Sequence, residues 1–132
     1  MISVISEMPV TDESYPFSSA ERYCHLSANG YVEREYRVDG TANVYRTADE
    51  DGGVEVMTAD APYSNRIVVR APKDPAQASG NVVVEIINPT SFMEIERMWI
   101  LGYGEFVRSG DIYVGITSKP NTISKLKEFN PD

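Results

Sequence analysis

The stretch NVVVEIINPTSF, Asn81 to Phe92, restricts the fold more than any other part of the chain. Val82, Val84 and Ile86 alternate with Val83, Glu85 and Ile87, so a strand here is mainly apolar on both faces. Strands of that kind belong to parallel sheets covered on both sides. Asn88-Pro89-Thr90-Ser91 then forces a turn. Beyond it Phe92, Ile95, Trp99, Tyr103 and Phe106 recur at spacings of three and four. The spacing predicts a helix over about 92–109, entered through Thr90 or Ser91 as N-cap, with Glu94 and Glu96 in its first turns. Met98, Leu101, Gly102 and Val107 widen the apolar stripe, which predicts burial over most of the helix's girth. Trp99, Tyr103 and Phe106 read as core rather than as a substrate box. Gly110 ends the helix, and a strand over about 111–118, centred on Ile112 to Thr117, follows. The separation of the two strands exceeds the dozen or so residues that a crossover needs. The unit is β-α-β and parallel.

Upstream the pattern is antiparallel. From Tyr31 to Val38, Val32, Tyr36 and Val38 share a face with Arg34. Glu33, Glu35 and Arg37 share the other with Tyr31, as in a half-solvated strand. Asp39-Gly40 predicts a turn, and Thr41 to Thr47 a return strand. Val54 to Thr58 is a weaker strand signal and Arg66 to Arg70 a clearer one, stopped by Ala71-Pro72. Residues 1–30 read as a turn-rich N-terminal extension with a short helix from Ser19 to near Asn29-Gly30. Residues 31–132 read as the domain proper, in which a second helix begins after Lys119-Pro120-Asn121 with Ile123, Leu126 and Phe129 on one side. The fold class expected is α/β, antiparallel strands followed by a parallel β-α-β unit.

Charge and composition narrow the function. Twelve Lys and Arg against 20 Asp and Glu leave a net charge of −8, which disfavours nucleic acid and anionic membrane surfaces as partners. The start, MISVISEMPV, lacks the basic region of a signal peptide, and no apolar stretch is long enough to span a bilayer. The compartment is unspecified, with the cytoplasm as default. The single cysteine, Cys24, adjoins the single histidine, His25. No intramolecular disulfide can form, a zinc site lacks ligands, and neighbours in sequence seldom face each other, so the pair reads as structural. In the acidic run Asp49 to Gly53, a calcium loop starting at Asp49 needs glycine where Val54 stands and glutamate where Asp60 stands. A solvated loop is the reading there. No metal and no cofactor is expected.

Antiparallel strands, a buried strand, a tight polar turn, a helix and a parallel strand are how an α/β-hydrolase sheet begins. GYVEREYRVDGTANVYR (Gly30 to Arg46) and PYSNRIVVRAPKDPAQASGNVVVEIIN (Pro62 to Asn88) carry more specific information, as do Pro16-Phe17 and SGDIYVGITS (Ser109 to Ser118). In their order and spacing these segments resemble a large family of α/β-hydrolase domain proteins. The resemblance implies the N-terminal part of a serine hydrolase of ester-like small molecules, cut before the nucleophile elbow. The sequence contains no G-x-S-x-G. Ser118 is followed by Lys119-Pro120 rather than by glycine, and His25 precedes every element, so the catalytic triad is expected outside this chain. One part of the machinery is expected inside it. An oxyanion-hole N–H comes, in this fold, from the loop after the strand quoted first. Pro89 has none to give, which leaves Thr90 as candidate and Ser91 second. Glu85, on a buried strand, is expected to pair with Arg66, Arg70 or Arg97. The strand Ile112 to Thr117 is expected to present a free sheet edge, open to self-association or to pairing with a complementary segment. A non-catalytic assembly module is the alternative function.

Overall fold

The computed structural model describes residues 1–13, 16, 23–48 and 50–128. Strands Ile2–Glu7 (β1), Tyr31–Thr47 (β2), Val54–Pro72 (β3), Val82–Ile86 (β4) and Ile112–Ile116 (β5) form one sheet in the order β1-β2-β3-β5-β4. Helix Arg97–Ser109 (α1) carries the chain from β4 to β5, and a short helix Ile123–Leu126 (α2) follows a 3-10 turn at Pro120–Thr122. β4 and β5 are parallel, with Val84 opposite Val114; every other pairing is antiparallel. The fold class is the expected one, a mixed α/β sheet with one parallel pair.

Several details differ from the sequence reading. β5 is not an edge: it lies between β3 and β4, and the outer strands are β1 and β4. Residues Ile2–Glu7, expected in a turn-rich extension, pair with β2. Asp39-Gly40 makes no turn, because β2 runs straight through it to Thr47. The glycine serves close approach instead, since a Cβ at Gly40 would stand 2.3 Å from the Met1 carbonyl oxygen of the adjoining chain start. The hairpin closes later, where the Ala48 N–H donates to the Gly53 carbonyl at 2.7 Å; Asp49 lies outside the described residues. Of the helix expected from Ser19, residues 19–22 lie outside them too, as does Phe129; Ser27–Asn29 form a 3-10 turn.

The sheet's two faces are unequal. Toward α1 lie Val68, Ile87 and Tyr113, which pack with Trp99, Phe106, Tyr31, Leu26 and Cys24 into one buried cluster. Ring centroids of Trp99 and Tyr113 are 5.3 Å apart, and those of Trp99 and Phe106 5.8 Å. The Tyr31 hydroxyl donates to the carbonyls of Phe106 and Asp111, tying β2 to the end of α1. On the other face Val82, Val84 and Ile86 are exposed. Neither expected double burial is found among the described residues: β4 is covered on one side, and α1 leaves Leu101 and Met98 exposed. Each element needs a second neighbour to bury its other side, and no described residue supplies one.

β3 runs antiparallel to β5, and the last β5 residue, Ile116, lies opposite Ile67. The hairpin segment before Ile67 therefore projects past the carboxyl ends of β4 and β5. At the opposite end, Gly110 adopts φ 76°, and a Cβ there would lie 2.3 Å from the Gln77 carbonyl oxygen. Gly110→Ala should cost about 1–3 kcal/mol, whereas Gly104→Ala, in an open helical position, should gain about 0.5–1 kcal/mol. Urea unfolding of the two variants checks the contrast.

Candidate active-site loop

β4 and β5 end together, Ile86 opposite Ile116, and the chain leaving β4 forms a loop at that end. Open α/β sheets place ligand chemistry beyond the carboxyl ends of their strands. The base of the loop is closed by Asn88 and Ile95: the Ile95 N–H donates to the Asn88 carbonyl at 2.9 Å, and the Asn88 N–H to the Ile95 carbonyl at 3.3 Å. Inside it, Asn88 Oδ1 accepts the Thr90 N–H at 2.9 Å and the Thr90 hydroxyl as well, the local turn that asparagine makes with backbone two residues on. Thr90–Phe92 is a single 3-10 turn, and Phe92 has φ 59° and is exposed. Thr90 and Ser91 thus sit at the loop tip. They do not cap the long helix, which begins only at Arg97.

The late helix start has an electrostatic cause. Glu94 and Glu96 flank Ile95 in non-helical backbone, and both are buried. Arg66 and Arg70 lie four apart on β3, hence on one face. Arg66 Nη1 reaches Glu94 Oε2 at 2.6 Å, while its Nε and Nη2 hold Glu35. Arg70 Nη2 bonds both oxygens of Glu96, at 2.8 and 3.0 Å, while its Nε bonds Glu33. The Arg70 guanidinium stands 4.7 Å from the Trp99 ring centroid and 5.3 Å from that of Tyr113. Glu33 and Glu35, on one face of β2, turn their carboxylates inward to meet these cations.

Two guanidiniums serve four carboxylates, and the imbalance appears in the proton affinities. Burial pushes Glu33 above the ordinary carboxylate range, with Arg70 pulling the other way. Burial likewise raises Glu94 against Arg66 and the Thr117 hydroxyl. At Arg70 burial pulls the pKa down, but Glu96 and Glu33 together outweigh it and keep the guanidinium above its usual value.

Glu85 has a different partner from the expected arginine. Both its oxygens accept the Met98 N–H at 3.1 Å, and the Tyr113 hydroxyl donates to Oε2 at 2.7 Å. A carboxylate on the neighbouring strand thereby caps the first turn of α1, where the helix dipole favours negative charge. Burial, then the bond to Glu85, raises the Tyr113 pKa, so this phenol stays a donor.

The remaining singled-out residues have structural positions. The Ser118 hydroxyl donates to the Ile87 carbonyl at 2.8 Å. Cys24 is buried in the core while His25 is exposed, so the neighbours lie in unlike environments. Trp99 and Phe106 are core, with Tyr103 packed against them. Among the described residues no group of three or more His, Cys, Asp or Glu is arranged to hold a metal ion, and no helix is long and apolar enough to cross a membrane. A cavity of 610 Å³ bordered by Tyr31, Pro72 and Gly110 lies at the far end of the sheet from Thr90. One of 270 Å³ bordered by Tyr63, Thr117 and Lys119 lies at the near end. Sequence reasoning missed the arginine clamp. Its signal was an alternation: Glu33 and Glu35 two apart, Glu94 and Glu96 two apart, Arg66 and Arg70 four apart.

Arg70→Ala strips two buried carboxylates of their cation and should lower the unfolding free energy by about 3–5 kcal/mol, measurable in urea. The raised Glu33 and Glu94 values mean that the folded chain keeps protons which the unfolded chain has lost. Their stabilising effect is complete below the ordinary carboxylate value of about 4.3 and fades as pH rises through the folded values. Glu94→Gln cannot ionise, so its stability should improve relative to the parent chain as pH rises above the ordinary carboxylate value of about 4.3. A pH-independent offset between the two unfolding curves would contradict this.

Comparison with curated proteins and with solved structures finds no match. The profile of a family described as alpha/beta hydrolase domain matches residues 4–132, a span that includes the parallel β-α-β unit and the loop at its carboxyl end. The chain belongs to this alpha/beta-hydrolase domain family.

Proposed function

We propose that residues 1–132 supply the N-terminal part of the sheet, and an oxyanion-hole donor, of a serine hydrolase acting on ester-like small molecules. The observation that carries this reading is the loop Asn88–Glu96, closed at its base, anchored by Glu94 and Glu96 and placed at the carboxyl end of β4 in a chain of this family. When a serine attacks an ester carbonyl, negative charge develops on the carbonyl oxygen, and backbone N–H groups fixed in advance lower the barrier. The Thr90 N–H donates to the neutral Asn88 Oδ1 in the free protein. An oxyanion is the stronger acceptor and takes that amide's place; the Ser91 N–H is the second donor. The nucleophile, its acid and its histidine belong to polypeptide outside these residues, since the sequence has no G-x-S-x-G and its one histidine, His25, lies between β1 and β2, whereas in this fold the histidine follows the serine and the acid.

A second reading, a non-catalytic module that pairs its sheet edge with another chain, is favoured by one observation. β4 is an outer strand, and Val82, Val84 and Ile86 along it are 54%, 58% and 73% exposed. Parallel strands are ordinarily covered on both faces, and an open edge is a template for pairing.

The 132-residue chain alone should hydrolyse p-nitrophenyl acetate no faster than buffer does. Joined to polypeptide carrying a G-x-S-x-G elbow, it should gain turnover and fluorophosphonate labelling. There Thr90→Pro, which deletes the N–H, should lower kcat by about 10²–10³-fold. Turnover by the isolated chain would refute the placement of the triad, and an unchanged kcat in Thr90→Pro would refute Thr90 as donor. For the second reading, light scattering that finds a stable monomer at high concentration counts against edge pairing.

A further inference from the structure

Phe92 combines two properties that a packing residue does not. Its backbone sits at φ 59°, in the left-handed region that bulky side chains avoid. Yet the residue is 71% exposed, so no core contact offsets the strain. Strained residues persist where their surroundings over-determine them, and they gather at functional sites. Here the surroundings are specific. The Asn88–Ile95 bridge, the Asn88 bonds to Thr90 and the arginine contacts of Glu94 and Glu96 fix the loop on both sides of Phe92. What they fix is an aromatic ring in water, two residues from the Thr90 N–H.

A second apolar surface lies at the same end of the sheet. In the hairpin arm beyond the carboxyl ends of β4 and β5, Tyr45 lies opposite Val56 and Thr47 opposite Val54, which puts these residues on one face; Arg46 and Glu55 pair on the other. Tyr45, Val54 and Val56 are all exposed. A two-stranded ribbon gains little stability by itself, so its apolar face, like Phe92, is not explained by packing within this chain.

We propose that Phe92 is a specificity-determining residue that holds the apolar group of the substrate beside the carbonyl bound at Thr90. The substrate class is an ester whose acyl or alcohol portion is a neutral aryl or alkyl group larger than methyl. The net charge of −8 works against an anionic group at this site. The inference rests on the hydrolase reading and deepens it.

The test uses the 132-residue chain labelled with 3-fluorophenylalanine. Its four phenylalanines give few fluorine signals, and Phe92→Gly identifies the relevant one. The probe is 4-phenylbutan-2-one, in which CH₂ replaces the ester oxygen of benzyl acetate; acetone supplies the same carbonyl without the apolar group. The Phe92 signal should shift saturably with the phenyl ketone and not with acetone. In titration calorimetry, which needs no fluorine at position 92, Phe92→Gly should weaken binding of the phenyl ketone about tenfold, the scale of one lost aromatic contact, and Phe92→Leu by less. Phe92→Gly should also raise Tm by about 4 °C as the backbone strain is relieved. A Tm that falls instead makes the ring a packing residue and overturns the proposal, as does an absent fluorine shift or an affinity indifferent to Phe92→Gly. The two readings separate cleanly. Ketone binding at Phe92 without ester turnover in the joined enzyme rejects the hydrolase reading alone. Turnover whose preference for benzyl over methyl acetate is unchanged in Phe92→Gly rejects this inference alone.

Discussion

Two arginines on one strand organise the molecule. Arg66 and Arg70 project from β3 into the space between sheet and helix, where a bare guanidinium would be intolerable without carboxylate partners. Those partners come from both directions: Glu33 and Glu35 from β2, Glu94 and Glu96 from the segment before α1. Such clusters are poor sources of net stability, because desolvation consumes most of the Coulomb gain. Their effect is on geometry. A one-residue slip of β2 against β3 would turn Glu33 and Glu35 to the other face, and the loop after β4 has one seating in which both of its glutamates meet a cation. Trp99 and Tyr113 complete the arrangement by offering ring faces to Arg70.

From that seating the rest of the loop follows. With Glu94 and Glu96 drawn toward β3, the backbone stays non-helical through Glu96, and the helix begins at Arg97. Its first turn then finds no cap among its own preceding residues and takes one from Glu85 on β4, which Tyr113 on β5 also holds. Strand, helix start and returning strand are thereby joined through one carboxylate. Between Asn88 and Glu94, Thr90, Phe92 and Met93 are left exposed. The loop closes on itself and presents Thr90 and Phe92 at the end of the sheet where chemistry is done in this architecture.

The other face of the sheet has a plainer character. Val82, Val84 and Ile86 lie along an outer strand with no helix over them among the described residues. A parallel pair with one apolar face open is an unusual state for such strands. It is what both functional readings draw on, since each calls for further polypeptide against β4.

Elements whose identity depends on local pattern were legible in the sequence: the apolar β4, the turn after it, the three-four spacing of α1, its terminating Gly110 and the parallel β5. So was the family, because the ordered segments from Gly30 to Ser118 carry it. The sequence could not say which face of β2 is wet, since the alternation of Glu33 and Glu35 with Val32 and Arg34 looks the same until Arg66 and Arg70 arrive from β3. Nor could it say that Gly40 serves close approach rather than a turn, a matter decided by β1 lying alongside. The position of β5 inside the sheet, the late start of α1 and the strained exposure of Phe92 share this origin. Periodicity is a property of neighbours in the chain, whereas pairing, desolvation and strain arise between residues tens of positions apart, and only the folded arrangement brings those together.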